Sequence, residues 1–118
     1  MKDAVISRIA DAIAWAEGFF VPGSRPHRNN NPGDLERDVT GKRVGFDGPY
    51  VVYATFEDGW EALEHQVRLM FGGSRIYKPS MTIAEVARHW TATNPEAWAK
   101  NVAARLWVGV NTRLEDIP

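Results

Sequence analysis

Residues 3–20 read DAVISRIADAIAWAEGFF, and their apolar side chains recur at the three- and four-residue spacing of an amphipathic helix. This spacing predicts a first helix over residues 3–17, ended by the glycine that follows. At about 100° per residue, Ile9, Ile13 and Glu17 lie on one side of that helix, so a carboxylate extends the apolar stripe. We therefore expect Glu17 to point into the protein or into a cleft.

The sequence around Glu17 favours a raised pKa for its carboxyl group. The residue lies in the last turn of the predicted helix, where the helix dipole disfavours negative charge, and Gly18, Phe19 and Phe20 follow it. The apolar flank and the inward direction add desolvation, which also raises the pKa of a carboxyl group. This tuning suits a general acid near neutral pH, whereas the alternative is an exposed terminal glutamate whose side chain turns back to water.

The middle of the chain predicts a long loop and a small hairpin. Residues 21–49 are rich in Pro, Gly and Asn without any period, and so long a loop in a small domain is typically functional or contains a hairpin. Residues 50–56 are mostly β-branched or aromatic and predict a strand, which would pair with residues 43–46.

Three further helices are predicted over residues 58–71, 83–90 and 95–106. Their expected starts are a capping box of Asp58 and Glu61, a capping box of Thr82 and Glu85, and Asn94 as N-cap before Pro95. The sequence thus predicts an α+β fold, mainly α, with one short β-hairpin and about four helices. Its length fits a single domain over residues 1–118.

Composition excludes several kinds of site. Hydrophobic residues make up 44% and charged residues 25%, which are globular values and argue against disorder. The absence of cysteine removes disulfides, thiolate nucleophiles and Cys-based zinc sites. The three histidines, at positions 27, 65 and 89, are far apart and have no acidic partners at ligand spacing, so we expect neither a metal nor a cofactor.

Targeting signals are also missing from the sequence. No apolar stretch approaches the roughly 18 to 20 residues of a membrane span, so we expect no membrane insertion. Residues 2–16 are interrupted by Arg8 and Asp11 and therefore indicate an amphipathic helix rather than a signal peptide. We expect synthesis in the cytoplasm.

Charge divides along the chain. Residues 34–64 carry eight acidic and three basic side chains, whereas residues 65–113 carry seven basic and two acidic ones. We expect the two segments to attract each other across the fold. A weaker alternative is a basic surface for nucleic acid, but no reading motif accompanies these bases, so we expect no nucleic-acid partner. The bases concerned are Arg68, Arg75, Lys78, Arg88, Lys100 and Arg105.

Four motifs occur in order along the chain: AWAEGF at residues 14–19, NNPGDL at 30–35, YATFEDGW at 53–60 and TIAE at 82–85. Together they resemble the lysozyme-like muramidase and lytic-transglycosylase domains of phages and prophages, over roughly residues 8–112. The resemblance implies a small α-rich lysozyme-like fold whose cleft holds peptidoglycan glycan strands, with Glu17 at the position of the catalytic acid. Two departures are Asp34 and Glu36, where an amide and a base are expected, and LWVG at 106–109, which replaces a Leu-Gly-Val turn.

The resemblance further implies cleavage of the bond between N-acetylmuramic acid and N-acetylglucosamine, with Glu17 donating a proton to the bridging oxygen. Hydrolysis also needs a second carboxylate, for which Asp34 is our first choice. The other candidates are Glu36, Glu57 and Asp58. A lytic transglycosylase would instead use Glu17 as acid and then as base, forming an anhydro sugar without water. A third alternative is a non-catalytic virion protein that keeps the fold as a structural or glycan-binding part.

A glycan cleft needs flat apolar faces for sugar rings and amides for N-acetyl groups. The expected substrate-binding residues are Asn30, Asn31, Tyr53, Phe56 and Trp90. Trp60, Phe71 and Trp98 are expected to pack in the core. We expect a monomer, delivered to the bacterial cell wall by a holin-like partner or as part of a virion, where it would act as a lytic, antimicrobial enzyme.

Overall fold

The computed structural model describes residues 3–118 and contains five helices, a two-stranded antiparallel hairpin and one 3-10 turn. The predicted α+β class is confirmed. In chain order the elements are α1 (Asp3–Ala16), α2 (Arg25–Arg28), β1 (Arg43–Asp47), β2 (Tyr50–Tyr53), α3 (Phe56–Phe71), α4 (Ile83–Trp90), α5 (Pro95–Leu106) and the 3-10 turn Leu114–Asp116.

Helix α1 lies at the centre of the main hydrophobic core. Ile6, Ile9 and Ile13 are at most 1% exposed and pack with residues of α3, α4 and α5. Burying each of these side chains contributes about 1.5–3 kcal/mol, so the predicted apolar stripe is what fixes the helix in place. Helix α1 packs most extensively against α5. This packing fixes the position of Glu17, the residue that follows α1, relative to α5.

Two of the three predicted helix starts are confirmed. Thr82 and Glu85 form a reciprocal capping box at α4, and the Asn94 side chain accepts from the third residue of α5, which begins at Pro95. The predicted capping box of Asp58 and Glu61 is wrong. Strand β2 ends at Tyr53 rather than continuing to Phe56, which frees the Thr55 hydroxyl to cap α3 by accepting from the Asp58 N–H. The C-terminal end of α5 carries Trp107 in the left-handed conformation, with φ of 61°.

The long predicted loop is more ordered than its composition indicates. A four-residue helix, α2, begins within it after Ser24, whose hydroxyl accepts from the His27 N–H. The hairpin is confirmed, with Phe46 opposite Val51 and Asp47 opposite Tyr50. A second, smaller apolar cluster lies beneath the hairpin and the loop, and Trp90 packs against both clusters. The buried members of the smaller cluster are Leu35, Val51, Tyr53 and Ala62.

The expected attraction between the acidic and basic segments is wrong as far as direct ion pairs are concerned. Within residues 3–118, no ion pair joins residues 34–64 to residues 65–113. Instead, α2 supplies basic partners to residues 34–64, α1 supplies acidic partners to residues 65–113, and the remaining pairs lie within residues 34–64. The pairs made by α1 and α2 are Arg25–Asp34, Arg28–Asp47, Arg68–Asp3 and Arg105–Asp11.

Candidate active site

A cleft of about 400 Å³ opens between the end of α1, the loop that follows it and the connection from α4 to α5. This volume lies within the range of small-molecule sites. The residues that carry its chemistry are Glu17, Arg25, Asp34, Tyr50, Trp90 and Trp98. The cleft therefore brings Glu17 together with Trp98, which lies 81 residues away in the sequence.

Glu17 is held in this cleft by both its backbone and its side chain. Its N–H donates to the Ile13 carbonyl across 2.9 Å, which extends α1 by one residue. Its Oε2 accepts a hydrogen bond of 2.8 Å from the indole Nε1 of Trp98, in the first turns of α5. Trp98 is buried and stacks on Trp90 with ring centroids 5.8 Å apart. The carboxyl group thus lies against a wall of two indoles.

Burial raises the pKa of the Glu17 carboxyl from 4.5 to about 7. The hydrogen bond from Trp98 lowers it, the negative charge of Asp34 raises it, and the positive charge of Arg25 lowers it. The shift has the direction expected from the sequence, and desolvation is its main cause. A carboxyl group with this pKa is close to half protonated at neutral pH. Much of the protein therefore carries the proton that a general acid donates.

Asp34 faces the same cleft in an unusual backbone conformation. Its φ is 49°, in the left-handed region that Asp and Asn tolerate better than most residues. Arg25 donates from Nη2 to Oδ2 across 2.5 Å and from Nε to Oδ2 across 3.1 Å and to Oδ1 across 3.2 Å. The guanidinium also lies over the Tyr50 ring, 3.6 Å from its centre. The Asp34 side chain is only 6% exposed, so its charge is held against Arg25.

The four remaining predicted sugar-binding residues lie outside the cleft. Asn31 is fully buried, and its amide donates to the carbonyls of Leu35 and Val51 and accepts from the Leu35 N–H. The Asn30 amide donates to the Tyr53 carbonyl. The positions of Asn30 and Asn31 do not support their expected contact with sugar, because both amides hold the loop and the hairpin together.

The two predicted aromatic faces are likewise engaged elsewhere. Tyr53 is 1% exposed, and its hydroxyl donates to Asp38 across 3.0 Å. Phe56 packs between Phe19 and Trp60, with ring centroids at 5.5 and 5.7 Å, and does not line the cleft. Of the predicted site residues, the structure therefore brings together Glu17, Asp34 and Trp90. Among the other candidate carboxylates, Glu36 lines the cleft, whereas Glu57 and Asp58 lie at the start of α3.

Sequence reasoning missed three residues of the cleft, Arg25, Trp98 and Tyr50, whose ring lies under the Arg25 guanidinium. Trp98 is buried as expected, yet its N–H is committed to Glu17. The signal for this was available, since a buried indole N–H usually needs a partner. Arg25 has no such signal, because nothing in a loop sequence indicates which carboxylate a nearby arginine will meet.

Within residues 3–118, no group of three or more His, Asp or Glu side chains is placed to hold a metal ion. No helix of this part of the chain is long and apolar enough to cross a membrane. Comparisons with protein-family models, curated proteins and solved structures found no match to the chain. Function is therefore inferred from the residues of the chain itself.

Proposed function

We propose that this protein is a lysozyme-like muramidase that cleaves peptidoglycan between N-acetylmuramic acid and N-acetylglucosamine, with Glu17 as general acid. The observation that carries the proposal is the position of Glu17, a desolvated carboxyl group with a pKa of about 7 in a cleft large enough for sugar rings. The ordered motifs of the sequence support the same substrate class.

In this reaction Glu17 donates its proton to the bridging oxygen while positive charge develops on the muramic ring. The carboxylate of Asp34, paired with Arg25, lies in the same cleft and would face the positive charge that develops on the ring. Trp90 lines the cleft beside Glu17 and would contact a sugar ring bound there. The substrate completes the desolvation of the site, which favours the protonated acid until the bond breaks.

One observation favours the lytic-transglycosylase variant of this chemistry. Both carboxylate oxygens of Asp34 already accept from Arg25, which leaves little capacity to hold an attacking water. Glu17 alone can act as acid and then, once ionised, as base toward the muramic C6 hydroxyl. The products separate the two reactions, because an anhydro muramic end weighs one water less than a hydrolysed end.

We further propose that the protein acts as a monomer on the bacterial cell wall and reaches it through a holin-like partner or as part of a virion. Peptidoglycan glycan strands would be its partner. The alternative is a non-catalytic virion protein with a structural or glycan-binding role. Such a protein would need the cleft to bind glycan but would need no general acid.

The test compares purified sacculi treated with wild type, Glu17→Gln and Glu57→Gln. Glu57 lies in the first turn of α3, exposed and outside the cleft, so its variant is a matched control. We expect wild type and Glu57→Gln to clear the suspension and Glu17→Gln to lose at least about 100-fold in rate, as for loss of a general acid. Equal clearing by wild type and a folded Glu17→Gln would contradict the role of Glu17. Binding to sacculi without clearing by wild type would favour the non-catalytic alternative.

A further inference from the structure

A second depression, the side groove, lies beside the cleft between residues 33–39 and residues 73–77 and has a volume of about 590 Å³. Asp34, Glu36 and Trp90 line both the cleft and the side groove, so the two depressions are continuous. A ligand that occupies the cleft can therefore extend a branch into the side groove.

In one wall of the side groove, residues fixed by hydrogen bonds lie on both sides of an exposed arginine, and we call them anchors. Leu35 is fixed by its hydrogen bonds with the Asn31 side chain. Asp38 is fixed by hydrogen bonds from the Tyr53 hydroxyl and the Arg43 N–H. Arg37 lies between these anchors and is exposed to solvent.

The opposite wall is built in the same way. The Ser74 hydroxyl accepts from the backbone N–H groups of Ile76 and Tyr77, at 3.0 and 2.9 Å. Tyr77 is buried, with its ring edge-on to His89 at a centroid distance of 6.0 Å. Residues 74–77 are therefore held in place by Ser74 and Tyr77, while Arg75 is exposed and Ile76 beside it is 52% exposed.

Three charged side chains of the side groove, Glu36, Arg37 and Arg75, have no ion-pair partner within residues 3–118. Within residues 3–118, neither Arg37 nor Arg75 forms an ion pair, whereas Arg25 in the cleft is paired with Asp34. Within the same residues, Glu36 also has no basic partner. It lies where the side groove meets the cleft. The groove beyond this junction presents two guanidinium groups, which are suited to bind carboxylates.

The apolar part of the groove suits small aliphatic groups better than sugar rings. Val39, Leu69 and Ile76 supply aliphatic contacts, and the aromatic rings are the buried Tyr77 and Trp90, which the groove shares with the cleft. Flat exposed rings, which sugars favour, are therefore missing from the far part of the groove as described by residues 3–118. Alternating methyl and carboxylate groups, as in a short acidic peptide, match this lining.

We infer that the side groove binds the acidic stem peptide that muramic acid carries in peptidoglycan, through Arg37 and Arg75, and that the protein therefore prefers peptide-bearing glycan strands. This inference rests on the proposed function, since the glycan strand in the cleft brings the peptide to the groove. The muramic lactyl group carries the peptide, so cleavage between muramic acid and its neighbour places the branch beside the cleft.

Two measurements test the inference. In the first, the synthetic tetrapeptide L-Ala-γ-D-Glu-diaminopimelate-D-Ala is titrated into Glu17→Gln and followed by NMR. We expect amide shifts at residues 36–37 and 74–77 that are lost in Glu17→Gln/Arg37→Ala/Arg75→Ala. They should remain in Glu17→Gln/Lys100→Ala/Arg113→Ala, which removes two exposed basic residues outside the groove.

In the second measurement Glu17 is left intact, and wild type, Arg37→Ala/Arg75→Ala and the control Lys100→Ala/Arg113→Ala cleave intact strands and strands stripped of peptide by an amidase. For Arg37→Ala/Arg75→Ala we expect KM to rise about tenfold on intact strands alone, a scale set by two partly exposed ion pairs. Equal rates of wild type on both substrates and no peptide-induced shifts would overturn the inference and leave the proposed function intact. Shifts at residues 74–77, which line the groove but not the cleft, on addition of stripped strands would overturn it too, because the groove would then hold sugar. If wild type cleaves neither substrate, the proposed function fails, and the peptide titration still decides the groove.

Discussion

The indole Nε1 of Trp98 donates to Oε2 of Glu17 across 2.8 Å, and this hydrogen bond joins the first turns of α5 to the end of α1. It does two things at once. It fixes the orientation of the carboxyl group toward the cleft, and it opposes the rise in pKa that burial causes. The same side chain therefore positions the proposed acid and keeps it able to lose its proton near neutral pH.

Replacement of Trp98 by Phe removes the donor and keeps an aromatic ring in the wall. Because the lost hydrogen bond lowers the pKa of Glu17, we expect that pKa to rise by about one unit, as for a hydrogen bond to a charged group. The alkaline limb of the activity profile should move upward in pH while kcat falls. Trp15→Phe, at a half-exposed indole outside the cleft, is the control. An alkaline limb that stays in place would show that the indole does not act on Glu17.

Replacement of Asp34 by Asn tests the electrostatics of the opposite wall. Asn tolerates the left-handed backbone of this position, so we expect the fold to persist. Loss of the negative charge, with Arg25 left unneutralised, should lower the pKa of Glu17 and move the alkaline limb to lower pH. The rate separates the two chemistries, with a loss of about 100-fold or more if Asp34 is the second carboxylate of a hydrolase. Asp47→Asn is the control: it loses the pair with Arg28 and keeps an oxygen that can accept from the Asn29 amide. A limb that moves upward in Asp34→Asn would contradict the account.

The raised pKa of Glu17 also links stability to pH. The folded state holds the proton more tightly than the unfolded chain, so this contribution is fully present below pH 4.5 and is lost as pH rises to about 7. The loss amounts to about 3 kcal/mol in the free energy of unfolding. Glu17→Gln has no such loss, so we expect it to be more stable than wild type at pH 8 and to lose this advantage at pH 4. Urea unfolding of both proteins at the two pH values measures this, and a constant difference between them would refute it.

Gly59 lets the loop approach α3, and its replacement by Ala should separate them. A Cβ at this position would collide with the Asn30 backbone carbonyl and lie 3.0 Å from Pro32 Cδ. We expect Gly59→Ala to lower the free energy of unfolding by about 1–3 kcal/mol, although Ala favours helices over Gly. Because the same loop carries Asp34, activity should fall as well. The control is Gly109→Ala, where a Cβ meets no atom within 4 Å, and it should leave stability and activity unchanged. Equal stability of the two variants would show that the loop does not need Gly59.

Much of the fold could be predicted because its signals are local. The period of α1, the capping box at Thr82 and the N-cap at Asn94 each depend on residues within one or two turns. The start of α3 was misassigned for a local reason too, since the β-branched Thr55 fits a strand as well as a cap. Helix α2 has only four residues, too few to show any period.

The site was harder to predict because its contacts are distant. Glu17 could be singled out from its place on the apolar stripe, but its partner Trp98 lies 81 residues away. The residue type also failed to distinguish an amide that holds a loop from one that binds a ligand. Asn31 and Asn30 serve the loop and hairpin, and only their hydrogen-bond partners reveal it.

The most direct test of the central claim is the protonation of Glu17 itself. The carboxyl carbon of Glu17 can be followed by NMR from about pH 3 to about pH 10 and assigned by its absence in Glu17→Gln. We expect a titration midpoint of about 7. A midpoint near 4.5, the value of a glutamate in water, would contradict the account, because the cleft would then hold no acid ready to protonate a sugar linkage at neutral pH.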